Sequence, residues 1–276
     1  MIERKTLLRR LSFAAYFAAV FLLFLLLRFP FDRIKSKLES EVHQRTPLEL
    51  SVAHISPWFF NRFVLSDVVV ADNKGRILFE SKSVKTTVSL FSLLRGALSL
   101  KLKAKAYGGE LLVKANQGPG RQYLLLDADG LDIASYPLLK DFGLRVTGKL
   151  GGNFEMNGDS GKGRVWLKGL ASRELTVRGF PIPDLDFEKG WLEAELKGDR
   201  LTVKKLELDG KDLMVRATGD LVLRERGMIN LAIKLKPSER LAHEQSALIS
   251  LLRNRDAEGY YLFSLGGLLS EPMARL

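Results

Sequence analysis

The feature that most restricts how this chain can fold is a period of two. Residues 98–106 read LSLKLKAKA. In an extended strand Leu98, Leu100, Leu102, Ala104 and Ala106 fall on one face, with Ser99, Lys101, Lys103 and Lys105 on the other. The alternation starts at Leu48 and recurs nearly to the end of the sequence. It marks strands at Leu48–Val52, Phe63–Ala71, Ile77–Phe79, Val84–Leu90, Glu110–Ala115, Tyr123–Ala128, Val146–Met156 and Arg164–Lys168. It continues through Glu174–Val177, Trp191–Leu196, Leu201–Leu208, the hairpin Leu213–Leu223 with Ile229–Leu235, and Tyr260–Leu265. Asp72-Asn73-Lys74-Gly75, Gly108-Gly109 and Gly118-Pro119-Gly120 supply turns between them. Within Leu201–Leu208 the apolar set moves from Leu201 and Val203 to Leu206 and Leu208, which predicts a bulge at Lys204-Lys205. From Leu48 onward, helical spacing is confined to a turn at Phe91–Gly96, a short helix at Ser135–Phe142 capped by Ser135, and a longer one at Glu239–Arg253.

These elements predict a mainly β chain: an elongated, curled antiparallel sheet with a few short helices, in one domain or in two stacked units meeting near Ser135–Phe142. Strands with one apolar and one charged face need one dry side. Two sheets closed on each other as a sandwich would provide it, and so would one sheet curled into a groove whose lining meets lipid tails. In the groove alternative, Leu98, Leu100, Leu102, Leu221, Leu223, Ile229, Leu231 and Ile233 are the candidate lining.

Ahead of the strands stands Leu11–Leu27, LSFAAYFAAVFLLFLLL, a run without a charge. As a helix it would span roughly 26 Å, close to the ~30 Å of a bilayer's hydrocarbon core. Leu11, Phe17, Phe21, Phe24 and Leu27 are its anchoring side chains. Arg4, Lys5, Arg9 and Arg10 precede it, and no small-residue cleavage site follows, since Leu27 is succeeded by Arg28-Phe29-Pro30. The run reads as an uncleaved signal anchor with its N-terminus in the cytoplasm. Phe31–Val42 follows as an amphipathic helix, with Phe31, Ile34, Leu38 and Val42 on one side, ended by Thr46-Pro47. The resulting division is an anchor with its stub over 1–30, a capping helix over 31–46 and a β domain over 47–276.

Reactive chemistry is sparse. The chain has no cysteine, and its three histidines, His43, His54 and His243, are far apart in sequence. The stretch Gly158-Asp159-Ser160-Gly161-Lys162-Gly163 imitates a phosphate loop but has Met156 and Gly163 where the motif needs Gly and Ser or Thr. Glu193 and Glu195 share a strand face, as a solvated carboxylate pair does, and nothing beside them in sequence would raise either pKa. These features predict no enzyme, no cofactor and no metal. The net charge of +11 suits an anionic lipid surface or acidic partners, while the scatter of basic residues along the strands argues against nucleic acid.

Taken in order, the anchor, the amphipathic helix, VLSDVVVAD at 64–72, SVKTTVSLFSLLRGALSLKLKAKAYGGELLVKA at 83–115 and YYLFSLGGLLSEP at 260–272 resemble the AsmA-like proteins of Gram-negative envelopes. Among these the short, singly anchored form resembles the type II secretion system protein N family. Ser264-Leu265-Gly266-Gly267 departs slightly from the family's closing motif. The resemblance implies an inner-membrane anchor, a periplasmic β-groove and a structural or assembly role in a type II protein secretion machine, with other secretion subunits and the lipid bilayer as partners. The alternative it implies is a groove that binds or transfers phospholipid.

Overall fold

The computed structural model describes residues 31–275, apart from positions 60, 90, 93–94, 119, 142, 175, 178–179, 182, 225–226, 251, 253 and 270. The predicted anchor, with Leu11, Phe17, Phe21, Phe24 and Leu27, lies outside the described residues. Among the described residues no helix is long and apolar enough to cross a membrane.

Helix α1 (Phe31–Arg45) opens the described chain. It is followed by β1 (Leu48–Phe59), β2 (Arg62–Asp72), β3 (Ile77–Val88), β4 (Leu98–Ala106), β5 (Gly109–Gly118) and β6 (Arg121–Asp132). A 3-10 turn at Ile133–Ser135 and α2 (Pro137–Asp141) lead into β7 (Arg145–Asn157) and β8 (Ser160–Arg173). A two-stranded excursion, β9 (Thr176–Val177) with β10 (Phe180–Pro181), precedes β11 (Leu185–Lys197), β12 (Arg200–Gly210), β13 (Leu213–Val222) and β14 (Met228–Pro237). Helices α3 (Glu239–Glu244) and α4 (Ser246–Ile249) then return the chain to β15 (Asn254–Arg255), β16 (Tyr261–Leu268) and β17 (Glu271–Arg275).

All strands except β9 and β10 belong to one 15-stranded sheet. Each strand pairs antiparallel with its neighbour in sequence, except that β8 pairs β11 and β14 pairs β16. The far side of β16 is shared end to end by β15 and β17. Among the described residues the only pairing outside this sheet is the two-stranded β9–β10, where a sandwich would need a second large sheet. The 15-stranded sheet also runs without a break past Ser135–Phe142, since Ala128 on β6 pairs Gly152 on β7. Its order starts at β1 and ends at β15 and β17. Pro57 in β1 and Pro272 in β17 occupy those edge strands, where a residue with no N–H to donate costs the ladder least.

Helix α1 lies along β1 and runs antiparallel to it. Glu39 Oε1 accepts from Val52 N–H at 2.9 Å, and Lys35 Nζ donates to Ala53 O at 3.3 Å. The helix thereby occupies part of an edge that would otherwise offer its backbone groups to another chain. The tightest packing of the sheet lies on β1 to β4: Val52, wholly buried, with Ile55, Val68, Val84 and Ala104, flanked by Leu50, Phe63, Leu65 and Leu102.

Two expected helices differ in the structure. Glu239–Arg253 is not one helix, because α3 stops at Gln245 and α4 is a separate turn. Leu241 is the only buried residue of α3, and a helix that buries so little gains too little packing to propagate. At the β6–β7 connection the short helix starts at Pro137, and Ser135 lies in the preceding 3-10 turn, which Asp132 caps by accepting from Ala134 N–H at 3.1 Å. Ser135 instead donates to Asp132 Oδ2 at 3.0 Å. The bulge at Lys204-Lys205 is present: the β11–β12 register shifts between Glu193 and Ala194, and that of β12–β13 between Val203 and Leu206.

Candidate functional site: an apolar face running across the sheet

Residues directly opposite each other in an antiparallel pair point to the same face, so the register can be followed from edge to edge. One file runs Ile55, Leu65, Val84, Ala104, Leu111, Ala128, Gly152, Val165, Leu192, Leu206, Ala217, Ile233, Phe263. It crosses from β1 to β16 without a polar side chain. The next file passes through Phe63, Thr86, Leu102, Val113, Leu126, Phe154, Gly163, Ala194, Val203, Gly219, Leu231 and Leu265. Its one polar member is Thr86, whose buried Oγ1 has no hydrogen-bond partner among the described residues. A third file joins Leu100 through Leu124, Met156, Leu196 and Leu201 to Leu221 and Ile229. Bulges and irregular turns hold the files in phase, so the apolar side is not lost where the strands bend.

This face is only partly closed. Away from α1, Val113 with its cross-strand neighbours Leu102 and Leu126, and likewise Val165, Leu192, Leu206, Leu231 and Ile233, are half-buried, neither sealed nor exposed. Cross-strand neighbours shield one another, yet among the described residues no second sheet lies over them. The chain exposes 19584 Å², where a compact monomer of its mass would expose about 12,000 Å². Residues 1–30 would add only about 5,000 Å² even if fully solvated. Each half-open leucine forgoes part of the ~1.5–3 kcal/mol that full burial is worth, which an apolar occupant would recover.

The opposite face is charged and wet. Arg164 pairs with Glu193 at 3.5 Å, and Glu195 with Lys204 at 3.3 Å and Lys162 at 3.8 Å. Glu193 and Glu195 are thus rungs of a solvated ion-pair ladder. Trp166 and Trp191 stack on this side with ring centroids 6.4 Å apart. The phosphate-loop imitation spans the tight β7–β8 turn, with Gly158 at φ +57°. Among the described residues no group of His, Cys, Asp and Glu could hold a metal ion.

Asp220 is the most strongly perturbed carboxyl of the charged side. Arg200 donates to it through Nη2 at 2.8 Å and Nε at 3.1 Å, and Thr202 Oγ1 at 2.6 Å. These donors, Arg200 first, hold its pKa at about 2, below the ordinary 3.8. The folded-state value is the lower one. The stabilisation is therefore complete above the unfolded value and is lost as pH falls through about 2. Arg200→Gln is expected to move the Asp220 titration up toward the ordinary carboxylate range. Carboxyl-detected NMR titration checks this, and an unchanged midpoint would refute the assignment.

The structure places Leu98, Leu100, Leu102, Leu221, Ile229, Leu231 and Ile233 on or in line with the apolar files. Leu223 stands just past β13, and Leu98 and Leu223 are the most exposed of the set. The sequence reading stopped at the ends of this surface and missed its middle, on β5 to β8 and β11 to β12. The missed signal was glycine inside alternating strands, which marks a close approach. The Phe154 ring lies over Gly161 and Gly163, whose added Cβ atoms would meet it at 2.8 and 3.1 Å.

At the β4–β5 end, α2 touches β3 although β4, β5 and β6 separate them in the sheet. Tyr107 bridges that span, edge-on to Phe79 at 6.3 Å and to Tyr136 at 5.6 Å. Its hydroxyl accepts from Glu80 N–H at 2.9 Å. Burial raises the pKa of both tyrosines. Comparison with protein-family models, curated proteins and solved structures finds no match to this chain.

Proposed function

We propose that the apolar face binds the acyl chains of membrane lipid, and that the chain is a membrane-anchored lipid-binding or lipid-transferring groove of the inner membrane facing the periplasm. The observation that carries this is the apolar file from Ile55 to Phe263, half-open at Leu65, Leu111, Val165, Leu192, Leu206, Ile233 and Phe263 and buried at its other positions. A surface of this kind offers dispersion and dehydration without directional chemistry, which fits hydrocarbon tails better than a polar substrate. The reach of α2 to β3 supports a sheet curled into a groove, and the uncharged run Leu11–Leu27 supports the anchor. The role in a type II secretion machine rests on the sequence resemblance, with the open edge at β17 as a surface for other subunits.

The test uses adjacent residues that point oppositely. A photoactivatable side chain replacing Leu192 in the membrane-embedded full chain is expected to crosslink phospholipid, and the same group at Glu193 is not. Equal labelling at both positions, or none at Leu192, would defeat the reading.

A further inference from the structure

The two ends of the strands differ in what they expose. The end carrying the β1–β2 and β3–β4 connections presents Trp58, Phe59 and Phe91, which are 63, 58 and 63 % exposed. At the opposite end the aromatic residues Phe79, Tyr107 and Tyr136 pack against one another. Cations accompany the exposed rings. Arg62 and Lys85 lie 5.7 and 5.6 Å from the centre of the Trp58 ring, and Arg95 lies 4.1 Å from that of Phe91. Exposed aromatics with guanidinium and ammonium groups beside them match the headgroup layer of a bilayer, where an amphipathic ring and a snorkelling cation are both satisfied.

The path of the chain selects the same end. Because α1 runs antiparallel to β1, with Glu39 beside Val52 and Lys35 beside Ala53, its first residue points toward the end of β1 that bears Trp58. Residues 1–30, with the run Leu11–Leu27, therefore join the fold on that side. We infer that Trp58, Phe59 and Phe91, with Arg62, Lys85 and Arg95, form a rim that seats this strand end in the headgroups of an anionic bilayer. The rim rests on the membrane-anchored reading above and adds an orientation to it: the strands meet the membrane by one end, and the apolar face opens at the lipid surface. Arg62, Lys85 and Arg95 supply the attraction to anionic headgroups.

The experiment reconstitutes the full chain in vesicles of phosphatidylethanolamine and phosphatidylglycerol, with Trp58 as the sole tryptophan in the double variant Trp166→Phe, Trp191→Phe. Lipids brominated near the headgroup are expected to quench Trp58 strongly, and lipids brominated deep in the tails weakly. Variants keeping only Trp166 or only Trp191, both on the charged face, should lose no emission. Replacing Arg62, Lys85 and Arg95 with Gln together should reduce the quenching of Trp58. Trp58 left as bright as Trp166 would overturn the rim. Crosslinking at Leu192 without quenching of Trp58 would keep the acyl-chain reading and reject the rim. Quenching without crosslinking would keep the rim and reject the acyl-chain reading.

Discussion

Gly219→Ala is expected to destabilise the folded chain by about 3 kcal/mol, because a positive φ and a backbone clash coincide there. Gly219 has φ +145° in the middle of β13, and a Cβ there would stand 2.1 Å from Asn230 O and 2.8 Å from Leu231 Cα. Both are backbone atoms of β14, so no side-chain rotation relieves the contact. Either φ or the β13–β14 register must give, and each costs of order 1–3 kcal/mol. For a chain of this size that corresponds to a fall in Tm of roughly 6–12 °C. Gly158→Ala is the internal comparison. It also has positive φ, +57°, but nothing lies within 4 Å of the added atom, so only the left-handed backbone cost of about 1 kcal/mol applies. Thermal unfolding followed by circular dichroism separates the two. Equal losses would mean that β14 shifts freely away from β13, contrary to the continuous pairing from Leu213 to Leu221.

The same glycine shows where the sequence was legible and where it was not. Alternation identified nearly every strand, because a sheet with one dry face imposes a period of two on each strand. Gly148, Gly151 and Gly152 fall inside the expected strand Val146–Met156, but alternation shortened β8, which starts at Ser160 and extends through Gly161 and Gly163, residues that look like loop in isolation. They are strand because the Phe154 ring lies over both and restores the cover their missing side chains would give. That is a tertiary fact, which the glycines signal only as a close approach. Lys204-Lys205 announced its bulge through the phase change around it, as the register shifts there show. The choice between one sheet and two was not readable, because both present the same alternation. It is decided by which strands pair across β6–β7 and β8–β11, contacts that no short stretch of sequence encodes.

Leu192→Asp and Val52→Asp are expected to differ sharply, and the difference tests whether the apolar face is a surface or a core. Val52 is wholly buried in the cluster with Ile55, Val68, Val84 and Ala104, so a carboxylate there loses its hydration with no partner to compensate. Either the group is protonated or the packing of this cluster opens, and the loss should exceed about 4 kcal/mol, at the diagnostic end for a single change. Leu192 is half-buried between Val165 and Leu206, and a carboxylate at this position can still reach water. Its expected cost is about 1–2 kcal/mol, mainly lost apolar contact. Lipid contact should respond in the opposite order. A charge midway along the file interrupts the hydrocarbon path, so Leu192→Asp should abolish phospholipid crosslinking from a probe at Leu206 in a chain that remains folded. A stability loss at Leu192 as large as that at Val52 would mean the face is sealed by packing, and the acyl-chain site would then have no room to exist.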